Sequence, residues 1–307
     1  MNSCSENRKI YFRNTTCYKL ETLLSLMTFF QFQTVKTINR KLLFTFLAKV
    51  FDDTSGLSWP VTLENANFTE IANKCFDDLK PMITDERYKK WLNDDNISSF
   101  LDRLVSFKSR RFYSFGVLFS TPEQIQKRSS ANYKNKYIIP ALLEGKTRFA
   151  WVYNTDQTNK GSHWVAVFLN LTKKTCTYFD SFGNEPREWM KTDITNILQH
   201  FKSIPFLENR IDTIHLKWHK KKHQEGSVEC GIYVLWYILT MLDGASFKQI
   251  ENTSIKDAIC REYRPKFFIN KQTVTFLSRK ELEKNIKVNG GVYPTTPTPD
   301  MSNVEII

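Results

Sequence analysis

The sequence predicts an α+β fold, a mixed β-sheet flanked by helices, preceded by a helical N-terminal extension. Three observations predict it. Stretches 17–51 and 69–80 place apolar residues at helical spacing. Residues 148–179 hold three runs rich in aromatic and β-branched side chains, separated by polar turns, which read as strands. Gly231–Leu242 is apolar on every side, the pattern of a helix buried all round.

Taken in order, Leu20, Leu23, Leu24, Met27 and Phe30, then Leu42, Leu43, Phe46, Leu47 and Val50, predict two helices joined near Thr34–Arg40. Asp52–Pro60 (DDTSGLSWP) carries turn chemistry and reads as a domain boundary. Thr69–Lys80 is expected to be helical. In TDERYKKWLNDDNISSFLDRL, Thr84 and Asp94 or Asp95 are N-cap candidates, and Ile97, Phe100, Leu101 and Leu104 share one helical face. Strands follow over Arg148–Tyr153, His163–Leu169 and Thr175–Phe179. After them come a helix over Trp189–Phe201, a strand over Ile211–Trp218, the helix Gly231–Leu242 and a helical Ser246–Arg264. From Val288 the chain (VNGGVYPTTPTPD) is rich in Gly, Pro and Thr and reads as a loose tail. This divides the 307 residues into an extension, 1–80, a core, 81–270, and a C-terminal segment, 271–307.

Hydrophobic residues make up 41% of the chain and aromatic residues 14%, enough to fill a substantial core. No run of about 18 apolar residues occurs, so no membrane-spanning helix is expected. The polar start, MNSCSENRKIYF, lacks the apolar run of a signal peptide, and the expectation is a soluble intracellular protein. The six cysteines (Cys4, Cys17, Cys75, Cys176, Cys230, Cys260) include no CxxC pair and read as thiols, not disulfides or a zinc site. Lys and Arg outnumber Asp and Glu by 44 to 32, a net charge of +12. That excess suits contact with nucleic acid or an acidic partner, and equally an ordinary lysine-rich surface. The densest basic run, Lys217–Lys222, lies just before Gln224–Cys230 and is expected to border a cleft there. His215, His219 and His223 stand four apart, a metal-ligand spacing on a helix. On a strand followed by a loop their rings do not converge, and no metal is expected.

A nucleophilic cysteine needs a base, something to hold the base, and donors for the oxyanion that forms on attack. Cys230 stands where a polar loop meets the apolar helix, and a helix N-terminus favours thiolate. Gly231 beside it is expected to let a substrate backbone approach. His163 opens a strand after the polar loop TDQTNKGS, a firm mount for a general base. Asp180 ends the next strand, so if the two strands are neighbours it can accept from the ring of His163. Gln224, six residues before Cys230, can offer its amide to an oxyanion. Taken singly, each has a plainer reading: a packed core cysteine, an exposed strand-edge histidine, a turn aspartate, a solvated glutamine.

Together these segments carry a resemblance. GSHWVAVFLN, YFDSFG and Q-x5-CGIYVL resemble the Ulp-type SUMO proteases and the adenovirus processing protease, one clan of cysteine peptidases, and WLNDDNISSFL resembles the W-L-N-D segment before the Ulp-type core. The resemblance covers about residues 85–265. It implies a papain-like core of the Ulp/adenain type with Cys230 as nucleophile, His163 as base, Asp180 as its orienter and Gln224 as oxyanion donor. Trp164 would line a narrow channel admitting an extended Gly-Gly terminus, and no cofactor is implied. NTDQTNKGSHWVAVFLN and ECG further resemble the polyprotein-processing proteases of large DNA viruses. One departure is that the asfarviral orienting residue is an asparagine, where this chain has Asp180.

The resemblance implies a cysteine endopeptidase acting after Gly-Gly sites on viral structural polyproteins, in the virion and host cytoplasm. Alternatives are an isopeptidase removing SUMO or another ubiquitin-like modifier, and a catalytically silent binding module, against which stand four chemically competent residues. Expected partners are a protein substrate and, through the basic surface, nucleic acid, with no membrane. Gly290-Gly291-Val292 reads as a self-processing site or as a flexible turn.

Overall fold

A computed structural model describes residues 18–32, 39–53, 55–79, 81–83, 90–107, 111–156, 162–205, 207, 213–253 and 255–294. Cys4, Cys17, the Thr84 cap, most of the 155–162 loop and the tail beyond residue 294 lie outside the described residues. The chain divides into two compact units, Glu86–Pro265 and a second one built from both ends, Met1–Asp85 with Lys266–Ile307.

In the unit Glu86–Pro265 the elements are α1 (Asp94–Phe107), β1 (Phe112–Leu118), α2 (Pro122–Ser129), β2 (Arg148–Asn154), β3 (Trp164–Asn170) and β4 (Thr175–Phe179). They continue with α3 (Glu188–Lys202), β5 (Leu216–Trp218), α4 (Cys230–Leu242), α5 (Phe247–Asn252) and α6 (Asp257–Phe267), whose last turn passes the division after Pro265. The strands form one mixed sheet in the order β1-β2-β3-β4-β5. β1 runs parallel to β2, β2–β3 and β3–β4 are antiparallel, and β4–β5 is parallel.

Every residue of β3 is buried, and that is why WVAVFLN reads as an unbroken apolar run: both faces of the sheet are covered. On one face Phe149, Trp151, Tyr153, Val165, Val167 and Leu169 pack against the apolar stripe of α3 (Met190, Ile194, Ile197, Phe201). On the other lies α4, buried at every position but Thr240. It meets β4 through a Thr177–Tyr237 hydroxyl pair at 2.6 Å and a stacked Phe179–Tyr237 pair at 4.7 Å. One charged group sits inside this core. Asp193 of α3 is bound by the Arg128 guanidinium at 2.9 Å and accepts from the Tyr153 hydroxyl at 2.7 Å, which ties α2, α3 and β2 together. Removing one partner of such a pair would strand a buried charge.

Four expectations change here. Asp52–Pro60 is not a boundary: a helix begins at Trp59, whose indole is fully buried, and Pro60 sits in its first turn, where a missing N–H costs nothing. The divisions fall after residues 85 and 265 instead. The described strand near 211–218 is only Leu216–Trp218, and Ser246–Arg264 is broken into α5 and α6. Finally, β1, α2 and the helical run 131–143, with a π turn over Lys134–Ile138, fill a stretch the sequence left unassigned.

The second unit packs helices Leu20–Phe29, Arg40–Val50, Trp59–Asn65, Thr69–Asp78 and Arg279–Val288, with a parallel two-stranded pair, Met82–Ile83 and Ile269–Asn270. Trp59 organises its core, with Tyr18, Phe44 and Phe51 stacked around it at 4.8–5.0 Å. The C-terminal segment joins this core rather than trailing from it. Leu282 and Ile286 are buried, Asn285 donates to the carbonyl of Val50, and Val292 N–H donates to Phe30 O at 2.8 Å. Gly291 lies against the Phe32 ring so closely that a Cβ would collide with it. The Gly290-Gly291-Val292 segment is therefore a packed turn, and cleavage there would first require it to unpack.

Candidate active site

The β3–β4 register pairs Ala166 with Phe179, so the residues just outside the two strand ends, His163 and Asp180, come together. His163 Nε2 lies 2.6 Å from Asp180 Oδ1. The carboxylate is itself fixed: Phe182 N–H donates to Oδ1 at 2.8 Å and Asn184 Nδ2 to Oδ2 at 3.1 Å. Phe182 lies against the imidazole at 4.7 Å, and Lys222 reaches over the other ring partner, its Nζ 5.8 Å from the Phe182 centroid. The basic run thus borders the site, as its position in the sequence suggests.

Cys230 is the first residue of α4 and almost fully buried. With Nε2 of His163 committed to Asp180, Nδ1 is the ring atom left for the sulfur. Burial by itself would lower the imidazole's proton affinity. Hydrogen bonds to Asp180 and Cys230, with the charges behind them, outweigh it and push His163 up to about 9 from its ordinary 6.5. The folded state therefore binds this proton more tightly than the unfolded chain. The stability it contributes is fully present below about pH 6.5 and is lost as pH rises through about 9.

Gln224 is fully buried and held at both ends of its amide. Its Oε1 accepts from Ser181 Oγ at 2.7 Å, its Nε2 donates to Gly226 O at 2.8 Å, and its backbone N–H donates to Ser181 O at 2.9 Å. One of the two amide hydrogens is thereby committed, which leaves the second for another acceptor. Trp164 is buried, and its indole N–H donates to Leu92 O at 2.8 Å. Gly231 has a different role from the one expected. A Cβ there would meet the Leu92 side chain at 3.1 Å, so its missing side chain admits Leu92 rather than a substrate backbone.

The structure bonds His163 to Asp180, ties Gln224 to the residue after Asp180 and sets Cys230 at the head of α4, and it adds residues that the sequence concealed. Ser181 links the Asp180 turn to Gln224. Asp257, at the start of α6, accepts from Gly226 N–H at 2.6 Å, from Glu225 N–H and from the Tyr233 hydroxyl at 2.9 Å, clamping the loop that holds Gln224. Glu229, next to the cysteine, is paired in a buried site with Arg264 at 2.7 Å, and Arg264 also donates to Lys90 O. Gly183 adopts φ +76°, and a Cβ there would stand 2.7 Å from Lys220 O.

Three expected results follow from these contacts. Gly183→Ala should cost about 3 kcal/mol from strain and the backbone collision, lowering Tm by about 6–12 °C in a melting experiment. Asp257→Ala should lower kcat by about 10- to 100-fold through misplacement of the Gln224 loop, with KM changed far less. Asp257→Asn, which keeps an acceptor oxygen, should recover much of that loss. The third concerns the neighbouring histidines. His219 and His223 are buried, edge to face at 5.1 Å, against Phe179. Burial, then His219 and Lys221, pull His223 down to about 4, and burial likewise lowers His219. The unfolded chain takes up these protons first, so Tm should fall as pH drops from about 6.5 towards 4, and less steeply in His223→Phe. His215 is exposed and stands apart. Among the described residues no group of His, Cys, Asp and Glu is arranged to hold a metal ion.

A thiol at the head of a buried helix, facing an imidazole that a carboxylate holds at the ends of two neighbouring strands, is the arrangement of the cysteine-peptidase class. Residues 150–276 match the Ulp1 protease family, C-terminal catalytic domain. His163, Asp180, Gln224 and Cys230 all fall inside the matched stretch. A thiol protease of Acanthamoeba polyphaga mimivirus is 26% identical over 182 residues, 59% of this chain and 57% of the relative. A cysteine protease of African swine fever virus is 31% identical over 172 residues, 49% of this chain and 60% of the relative. The matches thus span less than two thirds of these relatives' own length. The crystal structure of the African swine fever virus protease, in selenomethionine form, superposes with a TM-score of 0.59 at 22% identity, covering 87% of this chain and 96% of that one, a likeness of fold.

Proposed function

We propose that this chain is a cysteine endopeptidase that cuts after Gly-Gly sites and matures viral structural polyproteins. The observation that carries this reading is the His163 imidazole, bonded to the Asp180 carboxylate and electrostatically coupled to Cys230. In acylation the Cys230 sulfur attacks the scissile carbonyl carbon, and the oxyanion accepts from Gln224 Nε2–H and the backbone N–H groups at the head of α4. His163 gives its proton to the leaving amine nitrogen as the C–N bond breaks, leaving a thioester. His163 then takes a proton from water, whose oxygen attacks the thioester. The C–S bond breaks, the carboxylic acid departs and the sulfur recovers its proton. Trp164 beside the base favours glycine at the residues entering the site. This reading puts the protein in the virion and host cytoplasm, in keeping with the viral origin of the relatives above.

A second reading is removal of a ubiquitin-like modifier. It is supported by a relative from an African swine fever virus pig isolate, 31% identical over 127 residues, whose name calls it a SUMO-1 cysteine protease. Incubation of wild type and Cys230→Ala with viral precursor polyproteins and with SUMO fusions separates the two. Precursor cleavage after Gly-Gly, without labelling by a SUMO vinyl-sulfone probe, is the expected result. Efficient labelling with uncut precursors would favour the second reading, and no cleavage of either would remove both.

A further inference from the structure

On the face of the sheet opposite α4, a cavity of about 450 Å³ opens between β1, α2 and the helical run 131–143. That is the size of a small-ligand pocket. Its floor is a chain of aromatic rings: Tyr113 to Phe115 at 5.1 Å, Phe115 to Tyr133 at 5.9 Å, and Tyr133 to Tyr137 at 5.0 Å. Phe119, also in the lining, is 48% exposed. The lysines in the lining, Lys127 and Lys136, are both exposed, and Lys136 Nζ stands 5.2 Å from the Tyr137 centroid. Among the described residues no carboxylate lines the cavity. Asp193, behind it, is already taken up by Arg128. The π turn that presents Lys136 and Tyr137 is a departure from helical geometry often found at functional sites. The Tyr133 hydroxyl is buried there without a hydrogen-bond partner.

We propose that this cavity binds a nucleotide unit of single-stranded nucleic acid, the base against the aromatic rings and the adjoining phosphates on Lys127 and Lys136. The combination selects the ligand. Every base has a π-face that stacks on such rings whatever its sequence, and the strand's backbone supplies the anions that two exposed lysines attract. Gln124 and Asn132 in the lining offer amide groups to base edges. A duplex keeps its bases stacked inside and has nothing to insert. An acidic peptide would satisfy the lysines but leave the aromatic floor unused. The chain's charge of +12 adds a general attraction for a polyanion.

The test uses full-length Cys230→Ser protein, so that proteolysis plays no part, and fluorescence anisotropy of a fluorescein-labelled oligothymidylate from about 50 to 200 mM salt. The doubly substituted Lys127→Glu/Lys136→Glu protein should bind at least about tenfold more weakly at low salt. Its slope of log affinity against log salt should be shallower by about 1.4, two phosphate contacts on a single strand. Phe119→Ala should weaken binding about tenfold with the slope unchanged. All three side chains are exposed, so these substitutions spare the core. Adenosine monophosphate and polyglutamate should displace the oligonucleotide poorly. Absence of binding at 50 mM salt, affinity unaltered in both variants, or equal displacement by polyglutamate or by the mononucleotide would overturn the proposal. None of those results would touch the peptidase reading, whose residues lie across the sheet.

Discussion

Cys230→Ala is expected to abolish peptide-bond hydrolysis, with a loss of at least about 10⁴-fold in kcat, while the protein keeps its fold and its affinity for uncleaved substrate. The substitution removes one sulfur from a buried position at the head of α4 and leaves the His163–Asp180 pair and the Gln224 clamp in place. Turnover should fall to the level that binding and oxyanion stabilisation alone can sustain. Progress curves with a Gly-Gly-X peptide, alongside melting curves of both proteins, separate lost chemistry from lost folding. Retention of more than about a tenth of the activity would show that another group attacks the carbonyl.

Asp180→Asn should lower kcat by about 10²-fold or more and reshape the pH profile. In the native protein the carboxylate helps keep the His163 proton in place up to about pH 9, and kcat/KM should decline above that as the acid needed by the leaving amine is lost. An asparagine keeps a hydrogen-bond acceptor but removes the negative charge, so the alkaline limb should move down towards the ordinary histidine value of 6.5. An unchanged limb in a pH series of kcat/KM would mean that the titrating group is not His163. Partial function in this variant, with a lower alkaline limit, would be the natural result.

The central strands and α4 were legible because burial on both faces writes itself as an uninterrupted apolar run. Trp164–Asn170 and Cys230–Leu242 are the clearest cases. β1 escaped notice because Ser114 and Gly116 interrupt its apolar residues and its register with β2 shifts between Ser114 and Val117. The helix Arg279–Val288 was hidden by a mostly charged surface with only Leu282 and Ile286 buried. Its Ser278–Glu281 capping box was present in the sequence all the same. Trp59–Pro60 was read as a turn because proline ends helices more familiarly than it begins them.

The site divides along similar lines. Cys230, His163 and Asp180 could be picked out because each sits at the end of an element with recognisable local text, and Gln224 because it stands in the loop six residues before Cys230. Ser181, Asp257 and Leu92 could not. Each acts across the fold, Ser181 on Gln224 43 residues away, Asp257 on Gly226 31 away and Leu92 on Trp164 72 away, and no local period records such a contact. What they do is hold other groups still, and that becomes visible only when the distances are known.

The most direct measurement is peptide mapping after brief, substoichiometric treatment with iodoacetamide at about pH 6, where ordinary thiols are protonated and slow. Burial pushes the Cys176 and Cys260 thiols up to about 12, so they serve as internal controls. The adduct should map to Cys230 and fall sharply in His163→Ala. An adduct spread evenly over the cysteines, or one at Cys230 that forms equally fast without the imidazole, would contradict the account.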